Sequence, residues 1–301
     1  MRTGTAVDED ENAGRDVDAL RDILMSYTLL DPETGYVQGM TDLLAPLLDA
    51  IQSSAHSQTL PTTTNNTHAL VFGCYSATMT TMSLKANFQR GQQGILDQLL
   101  VVELVLRLID PPLHTHLDQI GAASLLCIFR WILVSFRREF AHQGEIELLW
   151  EVSWAATHVL ECRPGAFLLV AAAALLNSMR DDLLGCTGFD EVVGVVNGFS
   201  AVDHEARPRI AETVGVIEFI RRAQVVWALV ESVNPRAIKA NQNARNQRRK
   251  EGGDGDIVDC MGIVEQVSGV KRGRKPLLKK GKLSASEWAF LNTFLYAQGA
   301  P

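Results

Sequence analysis

Along most of the first 230 residues, apolar side chains recur three and four positions apart, the spacing of one face of an α-helix. Val17, Leu20, Leu24 and Tyr27 share such a face. Met40, Leu43, Leu44, Leu47, Leu48 and Ile51 follow the same pattern closely, with Pro46 inside it as an expected kink or late start. Further helices are predicted over residues 70–87, 95–109, 122–140, 145–158, 166–180 and 203–229. Asp110-Pro111-Pro112 and Cys162-Arg163-Pro164-Gly165 are breakers between them. Strand-like alternation is missing. Residues 192–196 are rich in valine, but the stretch is short and sits among Gly194 and Gly198, so it reads as a helix packed close to a neighbour. The fold class is therefore all-α.

Two stretches break the periodicity. Residues 52–68 are rich in Ser, Thr and Asn and predict a surface loop inserted between two helices. Beyond Asn234 the chain turns polar, basic and Gly-rich up to about Lys282, the composition of a linker or loosely attached tail. The chain ends on Trp288, Phe290, Leu291, Phe294 and Leu295, spaced for a short amphipathic helix over residues 287–296, either docked on the domain or awaiting a partner. No internal repeat of fixed period marks a solenoid.

Composition narrows this picture. At 301 residues the chain is long enough for a sizeable core, and its 47% hydrophobic and 21% charged residues are ordinary for a globular protein. A net charge of -7 argues against a chain built to coat nucleic acid, although basic clusters gather beyond Arg236. Cys74, Cys127, Cys162, Cys186 and Cys260 form no C-x-x-C pair, which argues against a disulfide framework or a zinc site. The first, second and third of these lie among apolar residues and read as small core side chains, which suits a reducing, cytoplasmic compartment. The acidic N-terminus, with Asp8, Asp10 and Glu11, is unlike a targeting peptide. The apolar runs 122–136 and 166–176 are shorter than the roughly 20 residues of a spanning helix and read as buried helices.

The familiar small-substrate chemistries are missing. The sequence has no G-x-x-x-x-G-K-[ST], H-E-x-x-H or G-x-S-x-G. His114 and His116 are two apart, a poor spacing for a helical metal pair, and a surface turn after Pro112 is their expected home. One segment stands out. Gly35-Tyr36-Val37-Gln38-Gly39-Met40 joins the polar turn Asp31-Pro32-Glu33-Thr34 to a strongly amphipathic helix. A glutamine at a helix start, beside glycines, projects free of its neighbours. Its amide can donate one hydrogen bond and accept another, as is needed to orient a water against a phosphate.

The run from Tyr27 to Leu48, centred on Tyr36-Val37-Gln38-Gly39-Met40, resembles the Y-x-Q-G-M signature of TBC domains, the GTPase-activating modules of Rab-type small GTPases. Further matches follow in the family's order: Asn87-Phe88; Leu108-Ile109-Asp110-Pro111-Pro112-Leu113 with His116-Leu117; Phe129-Arg130-Trp131-Ile132-Leu133 with Phe136-Arg137-Arg138-Glu139-Phe140; and Leu149-Trp150-Glu151-Val152 with Trp154. The resemblance covers roughly residues 1–230. It implies an all-helical TBC domain over residues 1–232, lacking its N-terminal part, and a polar basic tail over 233–301.

The resemblance also implies a mechanism. TBC domains supply a glutamine and an arginine in trans to the GTP-bound Rab, and the GTP and Mg²⁺ belong to that partner, so no cofactor of the chain's own is expected. Gln38 takes the place of the glutamine. Arg2, followed by Thr3 at the right distance upstream, takes that of the arginine finger, whose Ile and Asp in the I-x-x-D-x-x-R pattern would precede residue 1. A catalytically impaired Rab-binding scaffold is the alternative. Tyr36, Gly39 and Met40 are expected to shape and anchor the glutamine loop, with Asp42, Arg130 and Trp131 as further motif support. Arg130, in an otherwise apolar helix, needs a partner if buried, and Glu139 and Glu151 are the candidates. Trp131, Trp150 and Trp154 read as core. The basic run Lys271-Arg272-Gly273-Arg274-Lys275-Pro276 reads as a solvated linker, or next as a contact with anionic membrane that would place the protein peripherally on endomembranes.

Overall fold

A computed structural model describes residues 6–56, 64–140, 142–160, 162–198, 215–236, 239 and 281–296. Every regular element among them is helical, and the one β-bridge, Cys162 with Tyr296, is isolated. The chain divides into two compact units: Met1–Ile95 with Leu133–Arg138, and Leu96–Ile132 with Glu139–Pro301.

The first unit contains α1 (Ala6–Leu30), α2 (Met40–His56), α3 (Thr64–Thr81) and the single turn α4 (Lys85–Phe88). Helices α1, α2 and α3 pack on one another. Ile23, Leu24 and Tyr27 of α1 are buried with Leu43, Leu44 and Leu48 of α2 and Val71, Tyr75 and Met79 of α3. The Tyr27 and Tyr75 rings meet edge to face at 5.0 Å, a favoured aromatic geometry. Pro46 lies inside α2, at its seventh residue, where it has no N–H to offer the Asp42 carbonyl, yet the helix continues through it to His56. The loop expected over 52–68 is shorter at both ends. Helix α2 continues to His56 and α3 begins at Thr64, leaving 57–63 outside the described residues. Composition misled here, because the polar side chains find partners within the helices: Ser54 donates to the Ala50 carbonyl of its own helix at 2.8 Å, and Gln52 to the Asp16 carboxylate of α1 at 3.1 Å.

The chain leaves this unit along α5 (Gln93–Ile109), and the second unit continues through α6 (Pro111–Gln119) and α7 (Phe129–Leu133). After Leu133–Arg138 it adds α8 (Gln143–Val159), α9 (Ala166–Ser178), α10 (Arg180–Gly185), α11 (Phe189–Asn197), α12 (Gly215–Val233) and α13 (Ala285–Leu295). Helix α9 is apolar all round, and every residue from Ala166 to Leu176 is buried, as a helix enclosed by others requires. Helix α12 lies along it and also meets α8. Asp110 caps α6 by accepting from the Leu113 N–H at 3.2 Å, and its other oxygen takes Asn177 and Arg180 at 2.9 and 2.8 Å. His114 and His116 lie within α6 rather than in a turn, because Pro111-Pro112 start a helix as well as ending one. His114 pairs with Glu103 at 3.0 Å and His116 with the Cys186 carbonyl at 3.0 Å.

The single helix expected over 122–140 is broken. A 3-10 turn at Leu126–Ile128 leads into the short α7, and left-handed backbone at Leu125, Ser135 and Phe136 interrupts the rest. Residues 166–180 likewise divide, at Met179, into α9 and α10. Of the three tryptophans expected in the core, Trp131 and Trp150 are buried, while Trp154 is 38% exposed on the outer face of α8. The start of the last helix, read at Asp203, falls outside the described residues, as does the basic run 271–276.

The last described helix, α13, is docked. Leu291 and Leu295 of α13 are fully buried. Glu287 pairs with Arg107, the Gly281 N–H donates to the Leu108 carbonyl at 3.1 Å, and the Arg163 N–H donates to the Leu295 carbonyl at 2.9 Å. Tyr296 packs against Trp227 at 6.2 Å. Among the described residues no helix is long and apolar enough to cross a membrane.

Candidate functional site

The glutamine loop lies in the first unit, between the end of α1 and the start of α2. Each side of it is held. The Asp31 N–H donates to the Tyr27 carbonyl at 2.9 Å, and the Gly35 N–H to the Asp31 carbonyl at 3.0 Å, closing the turn that sequence composition marks. The Asp31 side chain is nearly buried and meets the Lys85 ammonium at 3.0 Å, which ties the turn to α4. Burial alone would raise this carboxyl, but Thr34 and Lys85 outweigh burial and hold it below its ordinary value. Tyr75, edge to face with Tyr27, is fully buried, and burial pushes its phenol far up.

Past the turn, Tyr36 is exposed and its hydroxyl meets the Thr41 hydroxyl at 3.3 Å. The Met40 N–H donates to the Val37 carbonyl at 3.2 Å, and the Asp42 N–H to the Gly39 carbonyl at 3.1 Å. The residues on either side of Gln38 are thus bonded into the first turn of α2. Gln38 itself is exposed, between buried Gly39 and Met40 on one side and half-buried Val37 on the other. Gly39 has φ +104°, and a Cβ there would stand 3.3 Å from Val134 Cγ1 and 3.5 Å from Leu133 Cδ2. Glycine suits the conformation, and a larger residue would also have to push the Val134 side chain back by a few tenths of an ångström.

Val134 and Leu133 belong to the segment Leu133–Arg138, which returns to this unit from far along the chain. There the Arg137 N–H donates to the Val134 carbonyl at 2.9 Å, and both central residues of the turn, Ser135 and Phe136, are left-handed, at φ 49° and 64°. Non-glycine residues in that region cost on the order of 1–3 kcal/mol each, so the surroundings must hold them. Phe136 is fully buried. Arg138 then makes a two-pronged ion pair with Asp42, Nε to Oδ1 at 2.8 Å and Nη2 to Oδ2 at 2.7 Å.

The structure therefore gathers Tyr36, Gln38, Gly39, Met40 and Asp42 in the first unit. Arg130 and Trp131 belong to the second. There Arg130 pairs with Glu139, Nε to Oε1 at 3.1 Å, and Glu139 is fully buried. Of the two candidate partners for Arg130, the geometry selects Glu139. Arg2 lies outside the described residues. Sequence reasoning gave no role to Arg138, Asp31 or Lys85. Arg138 stood in a quoted motif, but its partner is 96 positions away, and no local spacing shows that. No cluster of His, Cys, Asp or Glu suited to a metal occurs among the described residues.

Residues 2–184 match the Rab-GTPase-TBC domain family. TBC1 domain family member 17 of Mus musculus is 34% identical over 198 residues, 65% of this chain and 27% of that protein. The GTPase-activating protein GYP7 of Yarrowia lipolytica is 29% identical over 228 residues, 75% of this chain and 27% of that protein. The chain thus spans about a quarter of the length of these curated relatives. Among solved structures, the Ypt/Rab-GAP domain of Gyp1p superposes with a TM-score of 0.55 at 22% identity, covering 70% of this chain and 65% of that one, which supports the same helical fold. With more than half its length matched to the family, and with that family's helical architecture, the chain belongs to the Rab-GTPase-TBC domain family.

Proposed function

We propose that this chain accelerates GTP hydrolysis by a Rab-family small GTPase in its GTP-bound form. Gln38 is offered in trans to orient the attacking water, and Arg2 to neutralise charge on the transferred phosphoryl group. The nucleotide and its Mg²⁺ ion are the GTPase's own. The observation that carries this reading is the setting of Gln38: an exposed amide between backbone groups fixed to a helix start. A preorganised amide acts at the transition state without reorganising, which is where stabilisation raises the rate. An arginine finger adds roughly 10³–10⁵ in rate where it is held in place. The names of the curated relatives, GTPase-activating proteins among them, support the same reading.

The test is single-turnover GTP hydrolysis over a panel of purified Rabs, with wild type, Gln38→Ala and Arg2→Ala. Gln38→Ala is expected to lower the maximal rate about 10²–10³-fold, the loss typical of a removed transition-state donor, and to leave affinity for the Rab nearly unchanged. Full acceleration by Gln38→Ala would sink the mechanism. Tight binding by wild type without any acceleration would mark a scaffold instead.

A further inference from the structure

We infer that Arg138 is a positioning residue for Gln38, acting through Asp42, and that the strained turn Leu133–Arg138 is the bed on which the glutamine loop is set. This rests on the reading of Gln38 given above.

Asp42 is bound twice. Its N–H donates to the Gly39 carbonyl at 3.1 Å, one residue from Gln38, and its carboxylate is gripped by both arms of Arg138 at 2.8 and 2.7 Å. A two-pronged guanidinium–carboxylate pair fixes orientation as well as distance. It therefore sets the rotation of the first turn of α2, and with it the direction in which the Gln38 amide leaves the loop. The same segment meets the loop a second time, where Leu133 and Val134 close on Gly39. Between these two contacts lie Ser135 and Phe136, two consecutive left-handed residues without a glycine. Their conformation delivers Leu133 and Val134 to Gly39 and Arg138 to Asp42 within one short turn. A helix continuing from α7, as the sequence pattern predicts, would not place both contacts on one loop.

Arg138 is half-buried and occupied by Asp42, so it acts through the loop and does not itself reach for the phosphates. Catalytic geometry is sensitive to such support, and a misplacement of about 1 Å costs about 100-fold in rate.

The experiment compares Arg138→Ala, Arg138→Lys, Asp42→Asn and the Arg138→Ala/Asp42→Asn double variant in the full chain. It measures kcat and KM for the accelerated Rab, and backbone amide exchange over residues 37–40. Each single variant is expected to lose kcat about 10- to 100-fold with little change in KM. The double variant should be no worse than the worse single one, because one coupled pair is being broken twice. Arg138→Lys keeps the charge but not the fork, and should fall between wild type and Arg138→Ala. Exchange at 37–40 should quicken in Arg138→Ala and Asp42→Asn alike, while circular dichroism shows the helices intact. Unchanged kcat and exchange in Arg138→Ala would overturn the proposal. So would a harmless Asp42→Asn beside an inactive Arg138→Ala, since Arg138 would then act directly. If Arg138→Ala does not fold, Asp42→Asn and Arg138→Lys decide the question. If wild type accelerates no Rab, the reading of Gln38 fails, and the exchange measurement still decides whether Arg138 holds the loop.

Discussion

Gly39 is the tightest point of the glutamine loop. Its φ of +104° is strained for any L side chain, and a methyl there would press on Val134 at 3.3 Å. Gly39→Ala is expected to cost about 1–3 kcal/mol of stability, read by urea unfolding, since overpacked sites respond on that scale. It should also lower the accelerated rate, because relief comes most easily by shifting the loop. Stability and rate both at wild-type levels would show that the contact with Val134 is slack. Chemistry at this scale was legible in the sequence where one residue type implies one need. A glycine beside a glutamine at a helix start marks a tight, exposed turn. An arginine in an apolar run demands a carboxylate, and Glu139 answers to Arg130. The role of Arg138 was not legible. Its partner depends on a chain reversal at Ser135 and Phe136 that neither residue type announces.

Among elements, the long amphipathic helices were readable because burial of one face repeats every turn. The bounds of α5 and α8 lie within two residues of those their patterns imply. The pattern failed over 122–140, where most side chains are apolar whichever way the backbone runs, so periodicity could not see the break. It failed differently at the end of the chain. The apolar spacing of α13 was visible, but its docking against Arg107, Arg163 and Asn234 was not. That docking has a pH signature. Hydrogen bonding from Arg107, and then from the Ser284 N–H, holds the Glu287 carboxyl down to about 2. A depressed carboxyl contributes stability above its unfolded pKa, about 4.3, and loses it as pH falls toward the folded value. Glu287→Gln is therefore expected to be less stable than wild type at pH 7, by about 1 kcal/mol or less because the pair is partly exposed. The difference should shrink as pH drops below about 4 and vanish near 2. Urea midpoints for both proteins across that range check it. A difference independent of pH would mean that the pair contributes nothing through charge.

The whole molecule, on the proposed reading, is a surface that docks on a GTPase and presents an amide, with no nucleotide site of its own. Docking and acceleration are then separable. Docking uses area that a single side chain barely changes, while acceleration uses an interaction made only in the transition state. Gln38 is exposed, and the bonds that shape its loop run through backbone and through Asp42, so Gln38→Ala leaves the docking surface in place. The variant should therefore compete with wild type. Added to a reaction at fixed wild-type concentration with the GTP-bound Rab limiting, it should slow hydrolysis down to the intrinsic rate. Half-inhibition should fall near the wild-type affinity for that Rab. The inhibition should be relieved by raising the concentration of the Rab, and a Gly39→Ala variant, whose loop is displaced, should compete less well. Hydrolysis unaffected by excess Gln38→Ala would mean that the glutamine contributes to docking itself. Its loss would then appear in KM, and the division between a rigid docking surface and a single projecting amide would have to be abandoned.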